Sequence, residues 1–203
     1  YWNVKLQAPN GGEMLYSLRF LFGTKTVGFS FFSFFLRFSP MKQFKHRLVL
    51  NAEQISTSID KAASSLRDIL GDEEVTAVPI MGGAMIFAAD LVRRLSDRMI
   101  IDFMSIQTYG DATSPQASPK ISWAPKKENI ENRHILLIDD ILDTGRTMLF
   151  AREFLLTKMK ASQVTIVVLI NKHVRRAVNI NPDISIINIH EDLFLVGFGL
   201  DYQ

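Results

Sequence analysis

Cysteine is absent from all 203 residues. That excludes a disulfide framework, a thiolate metal site and a cysteine nucleophile. It also fits a reducing compartment, so the expected location is the cytoplasm. Histidine is scarce: His46, His134, His173 and His190 have no spacing that suits a metal. The apolar window from Met14 to Phe38 is broken by Arg19, Lys25 and Arg37, and charges within a span are costly, so a membrane helix is not expected there. No internal repeat is visible.

Acids are nearly missing from the first forty residues. Lys5, Arg19, Lys25 and Arg37 face Glu13 alone, which leaves nineteen bases and twenty acids for the rest. The domain therefore has no basic excess for nucleic acid. Residues 27–40, VGFSFFSFFLRFSP, are rich in Phe and Ser, and no small-residue cleavage site stands out. Residues 1–40 fit three readings: translated upstream sequence with Met41 as the natural start, an organellar targeting leader, or a membrane-associating extension. Each places them outside the fold, which is expected over 41–203.

What is present from Met41 onward is a regular alternation. Apolar residues at Ile55, Ile59, Ala62, Ala63, Leu66, Ile69 and Leu70 have helical spacing, with Asn51 placed to cap and Gly71 to stop. Helical spacing returns at 82–95 and 146–161. Strands are expected at 75–80, 99–109, 134–139, 164–170 and 184–189. Residues 110–132 hold three Pro with Gly and Ser and read mostly as a long loop. Such alternation predicts an α/β fold, a mostly parallel sheet flanked by helices. Ligands bind such sheets beyond the carboxyl ends of the strands.

One strand end is unusual. HILLIDDILDTGRTM, residues 134–148, runs from apolar residues into Asp139 and Asp140, then into Asp143-Thr144-Gly145-Arg146-Thr147. Paired carboxylates at a strand tip can accept hydrogen bonds from sugar hydroxyls or hold a hydrated metal. Gly145 allows a tight bend, and the free amides of the helix start with two Thr hydroxyls form an anion cradle. Together they suit a sugar phosphate lying across the turn. An ordinary strand–turn–helix with Asp143 as an acidic cap is the alternative.

ILLIDDILDTGRTM resembles the signature of type I phosphoribosyltransferases, enzymes that use 5-phosphoribosyl 1-pyrophosphate. From about Met41 to Gln203 the chain is similar to their hypoxanthine–guanine branch. The resemblance implies that fold, with a mobile loop over the active site, magnesium as cofactor, and a dimer or tetramer.

It also implies roles. Asp139 and Asp140 would bind the ribose hydroxyls. Asp143, Thr144, Gly145, Arg146 and Thr147 would hold the 5-phosphate, and Asp143 would accept the proton from the purine imidazole nitrogen. Met81, Gly82 and Gly83 would form the pyrophosphate loop, with a cis bond between Met81 and Gly82. The branch often has Lys where Gly82 stands. Thr108 and Tyr109 would begin the mobile loop. Lys172 would donate to a purine 6-oxo group, Phe194 would stack on the ring, and Leu195 would offer backbone contacts to its edge. Asp201, with Asp139 and Asp140, would hold magnesium.

The activity so implied is purine salvage: hypoxanthine or guanine takes the place of pyrophosphate on the ribose, giving IMP or GMP. Lys172 argues against adenine, because an amino group cannot accept its proton. It does not separate hypoxanthine, guanine and xanthine. A ligand sensor on the same fold would keep the phosphate turn but lose the base-binding lysine and aromatic, so Lys172, Phe194 and Asp201 favour the enzyme. Family members usually continue past the LDY segment with an Arg that reaches the pyrophosphate. The domain is thus expected to lack its C-terminal end.

Overall fold

A computed structural model describes residues 4–7, 46–95, 99–109 and 118–200. Its centre is a five-stranded sheet in the order β4-β3-β7-β8-β9, built from β3 (Val75–Pro79), β4 (Ile100–Ile101), β7 (His134–Leu142), β8 (Gln163–Lys172) and β9 (Ile184–Ile189). Every neighbouring pair in it is parallel, as the strand–helix alternation predicted.

Side chains of β7 and β8 alternate between two cores. Leu136, Ile138, Val167 and Leu169 join the face covered by α1 (Ala52–Leu70) and α2 (Ala84–Val92). Ile135, Leu137, Ile166 and Val168 join the opposite face, with Met148, Ala151 and Leu155 of α3 (Arg146–Thr157). A strand buried on both sides needs apolar residues at every position, and β7 and β8 supply them.

Helix α1 follows the sequence closely. Asn51 Oδ1 accepts from Gln54 N at 2.8 Å while Asn51 N donates back to Gln54 Oε1 at 2.9 Å, a reciprocal cap. Gly71 ends the helix, its N–H bonded to Arg67 O at 3.0 Å. The stripe from Ile55 to Leu70 is buried as its spacing required, except Ile69, which is exposed.

Three readings needed correction. Residues 99–109 are not one strand: β4 ends at Ile101, Asp102 accepts from Phe103 N, Lys126 N and Asn129 Nδ2 at 2.8, 2.9 and 2.8 Å, and the chain stays beside β3 only as far as a bridge between Met104 and Ile80. The next strand, β5 (Ser105–Tyr109), instead pairs antiparallel with β6 (Ser118–Trp123), inside the stretch read mostly as loop. Ile106 and Ile121 pack from this hairpin against the α3-side core, too few inward residues to announce a strand by periodicity. The strand expected at 134–139 continues through both acids to Leu142, because β8 goes on pairing with it at Ile141 and Leu142.

A small antiparallel sheet has the order β10-β1-β2, from β10 (Phe194–Val196), β1 (Val4–Gln7) and β2 (His46–Leu50). Four residues of the segment assigned outside the fold thus form its middle strand and cover two backbone edges. Leu195, Phe198 and Leu200 carry its end of the chain into the core beneath α1 and α2. No helix among the described residues is long and apolar enough to cross a membrane.

Candidate active site

The chain leaves β3 toward β4 on one side and returns in β7 on the other, so the carboxyl ends of β3 and β7 border a switch point, where such sheets bind ligands. Pro79 lies opposite Ile138, and Ile80 N donates to Ile138 O at 2.9 Å. This register sets the Met81–Gly83 loop beside Asp139 and Asp140. Gly83 is against the Asp140 carboxylate so closely that a Cβ there would overlap it. The Met81–Gly82 peptide, expected to be cis, is trans, since the described residues contain no cis bond. Gly82 reverses the chain by taking φ +117° instead, a conformation open to glycine.

Asp139 is buried and Asp140 half-buried. Asp140 N donates to Asp139 Oδ1 at 3.0 Å and Ile141 N to Asp140 Oδ1 at 2.7 Å. Burial first, and then the neighbouring Asp140 charge, push the Asp139 carboxyl well above its ordinary range.

Beyond Leu142 the chain turns through Asp143 and Thr144 to Gly145, whose φ of +82° is left-handed, and α3 begins. Gly145, not Asp143, is the N-cap, so the alternative of an acidic cap does not hold. A glycine brings no side-chain oxygen to occupy the first-turn amides; Arg146 N makes a long 3.5 Å bond to Thr144 Oγ1. A Cβ at Gly145 would meet Ile180 Cγ2 at 2.7 Å, Val178 Cγ2 at 3.0 Å and Arg176 Cδ at 3.1 Å.

Asp143 points one oxygen each way. Oδ1 is buried without a hydrogen-bond partner among the described residues. Oδ2 lies 3.8 Å from Nζ of Lys172, the last residue of β8, itself only 7% exposed. On its other side Lys172 Nζ is 3.6 Å from Asp192 Oδ1. Arg175 grips Asp192 Oδ2 through Nε at 3.0 Å and Nη2 at 2.7 Å. That guanidinium holds the Asp192 carboxyl below its usual range. Two residues after Asp192, Phe194 is 40% exposed while Leu195 is buried in the core.

Of the residues singled out from sequence, the structure brings together Met81 to Gly83, Asp139, Asp140, the 143–147 turn and Lys172. Thr108 and Tyr109 are the last residues of β5, paired with Pro119 and Ser118. Residues 110–117 of the loop expected over 110–132, and Asp201, lie outside the described residues. Asp192, Arg175 and Arg176 were missed; the one hint was a run of bases directly after an apolar strand. A separate hollow bordered by Arg67, Val75 and Met99 sits at the opposite end of β3, away from these groups.

Two acids at a strand tip, a helix start without a side-chain cap and a buried lysine 3.8 Å from the Asp143 carboxylate thus lie at the carboxyl ends of neighbouring strands. Residues 49–203 match the phosphoribosyl transferase domain model. The chain is 35% identical over 159 residues to hypoxanthine-guanine phosphoribosyltransferase of Aquifex aeolicus, covering 78% of this chain and 88% of that one. It is 31% identical over 162 residues to the enzyme of the same name from Bacillus subtilis, covering 80% and 88%. A crystal structure of hypoxanthine phosphoribosyltransferase from Staphylococcus aureus superposes with a TM-score of 0.71 at 31% identity, over 77% of this chain and 83% of that one. The chain belongs to the phosphoribosyl transferase family.

Proposed function

We propose that this chain transfers the 5-phosphoribosyl group of 5-phosphoribosyl 1-pyrophosphate to hypoxanthine or guanine, giving IMP or GMP and pyrophosphate. The observation that carries the reading is Asp143 Oδ1, buried and unpartnered on a carboxylate whose other oxygen lies 3.8 Å from Lys172 Nζ. A buried carboxylate oxygen without a donor is costly unless a ligand supplies one. The imidazole N–H of a purine is such a donor.

The turn 143–147 receives the 5-phosphate on its backbone amides and Thr hydroxyls. Asp139 and Asp140 accept from the ribose hydroxyls. The Met81–Gly83 backbone faces the pyrophosphate, and loop closure from Thr108 and Tyr109 excludes water that would otherwise hydrolyse the sugar. Phe194 stacks on the base, Leu195 contributes backbone at its edge, and Lys172 donates to the 6-oxo group. The C1–oxygen bond to pyrophosphate breaks, the C1–nitrogen bond to the purine forms, and the imidazole proton passes to Asp143. No protein nucleophile is required, in keeping with a chain free of cysteine.

Magnesium fits the site. Two adjacent carboxylates, one raised by burial and by its neighbour's charge, are relieved by a cation. Among the described residues no group of three His, Cys, Asp or Glu is placed to hold a metal. Magnesium is commonly held by one or two carboxylates with substrate oxygens and water. Asp139 and Asp140, with Asp201, would hold it. When bound, it stabilises negative charge on the leaving pyrophosphate.

The test is turnover with 5-phosphoribosyl 1-pyrophosphate, magnesium and each of hypoxanthine, guanine, xanthine and adenine. Nucleotide should form with hypoxanthine or guanine and not with adenine. Asp143→Asn should lower kcat by about 100- to 10,000-fold. A folded protein that binds the sugar pyrophosphate yet makes no nucleotide would leave a ligand sensor.

A further inference from the structure

The turn at 143–147 is braced from outside. Leu142, Asp143 and Thr144 present three successive carbonyls away from the cradle, and a single dipeptide engages all three. Arg176 Nη2 donates to Leu142 O at 3.2 Å, Arg176 Nε to Asp143 O at 3.0 Å, and Ala177 N to Thr144 O at 2.9 Å. In a trans peptide the C=O and the next N–H point in opposite directions. Tying those carbonyls back therefore aims the amides of Asp143, Thr144 and Gly145 outward, toward the anion.

The same guanidinium reaches the base side. Arg176 Nη2 also donates to Lys172 O at 3.0 Å and to Asn171 Oδ1 at 2.6 Å, and Nη1 donates to Ile180 O. Asn171 is buried and in turn donates to Asn188 Oδ1 on β9 at 3.0 Å. One side chain thus spans the end of β7, the end of β8 and the segment that packs behind Gly145. Its planar fork of donors suits this; an ammonium, with donors at one point, cannot reach carbonyls so far apart.

We infer that Arg176 is a positioning residue: it aims the phosphate-binding amides and sets the register between that turn and Lys172. The inference rests on the proposed roles of the turn and of Lys172. It predicts a joint effect on the two substrates that the turn and Lys172 are proposed to bind, neither of which touches the guanidinium.

The experiment compares Arg176→Gln and Arg176→Lys with wild type, per folded enzyme, in steady-state kinetics that vary the sugar pyrophosphate and hypoxanthine in turn and yield a KM for each. Arg67→Gln is the control for a merely structural arginine, since its bond to Arg94 O at 2.6 Å lies at the far end of the sheet. Both Arg176 variants should raise both KM values by about 10- to 100-fold, with lysine failing to rescue despite its charge. Arg67→Gln should move only the Tm. Asn171→Ser withdraws one acceptor and should raise the same two values by about threefold, which keeps the test open if the arginine variants do not fold. Folded Arg176→Gln with both KM values within about twofold of wild type would overturn the inference, as would full rescue by lysine or unchanged values in Asn171→Ser. A wild type inactive with every base would sink the parent reading instead.

Discussion

Lys172 Nζ stands 3.8 Å from Asp143 Oδ2, with Asp192 Oδ1 3.6 Å away on its other side. The cation proposed to read the 6-oxo group and the carboxylate proposed to take the imidazole proton are therefore neighbours before any base arrives. Neither distance is a hydrogen bond, so Lys172 keeps donors for a ligand while its charge stays balanced.

Lys172→Gln should remove base recognition and take from Asp143 the ammonium 3.8 Å away, while Arg175 still holds Asp192. A lost charge-assisted hydrogen bond is worth about 1.5–3 kcal/mol, so kcat/KM for hypoxanthine and guanine should fall roughly 10- to 200-fold. The KM for the sugar pyrophosphate should change much less. Steady-state kinetics with each substrate varied in turn decides this, and an equal effect on both would refute the assignment.

Gly83 and Gly145 should respond differently to alanine. Gly83 has φ −61°, so Ala suits its backbone, but the added Cβ displaces the Asp140 carboxylate. Its Tm should barely move, while the KM for the sugar pyrophosphate rises by about tenfold or more. Gly145→Ala meets both a left-handed φ of +82° and Ile180 Cγ2 at 2.7 Å. It should lose about 2–4 kcal/mol of stability, the backbone cost plus the collision. Chemical denaturation and kinetics on the two variants separate these outcomes.

Asp102 should make the fold acid-sensitive. Burial alone would raise its carboxyl, but the donors Asn129 Nδ2, Lys126 N and Phe103 N together outweigh burial and lower it. A folded pKa below the unfolded one means stability that is complete above about pH 4 and lost as pH falls through the folded value. Asp102→Asn should cost about 1–3 kcal/mol at pH 7, and the gap to wild type should narrow toward pH 3. Urea titrations at the two pH values test it; a gap that widens in acid would contradict it.

Asp139 has the opposite sign. Its carboxyl is raised by burial and by Asp140, so ionising it opposes folding. That penalty is absent below the unfolded pKa and grows as pH rises toward and through the folded one. Asp139→Asn should raise the Tm of the ligand-free protein at pH 8 and not at pH 4, while weakening binding of the sugar pyrophosphate. A lower Tm at pH 8 would show that Asp139 serves the fold rather than the ligand.

Much of this was readable along the chain because it is local. Asn51 and Gly71 lie at the ends of a 3.6-residue apolar stripe, and the helix begins and ends there. Two acids and a DTG turn follow an apolar strand, and the turn forms around Gly145. Where local signals were weak, the reading failed. Ser118–Trp123 is a strand through its pairing with β5, and Ile100–Tyr109 divides where Asp102 takes donors from Lys126 and Asn129, far along the chain.

The residues by themselves determined the helices and most strands of the central sheet, and that one strand tip carries acids followed by a glycine turn. Periodicity, caps and glycine need no distant partner. Only the tertiary structure decided that the Met81–Gly83 loop lies against Asp140, that Lys172 faces Asp143, and that Arg176 braces a turn 33 residues before it. Those relationships follow from strand order and register. Both are set by how whole faces pack, and spacing along the chain cannot encode them.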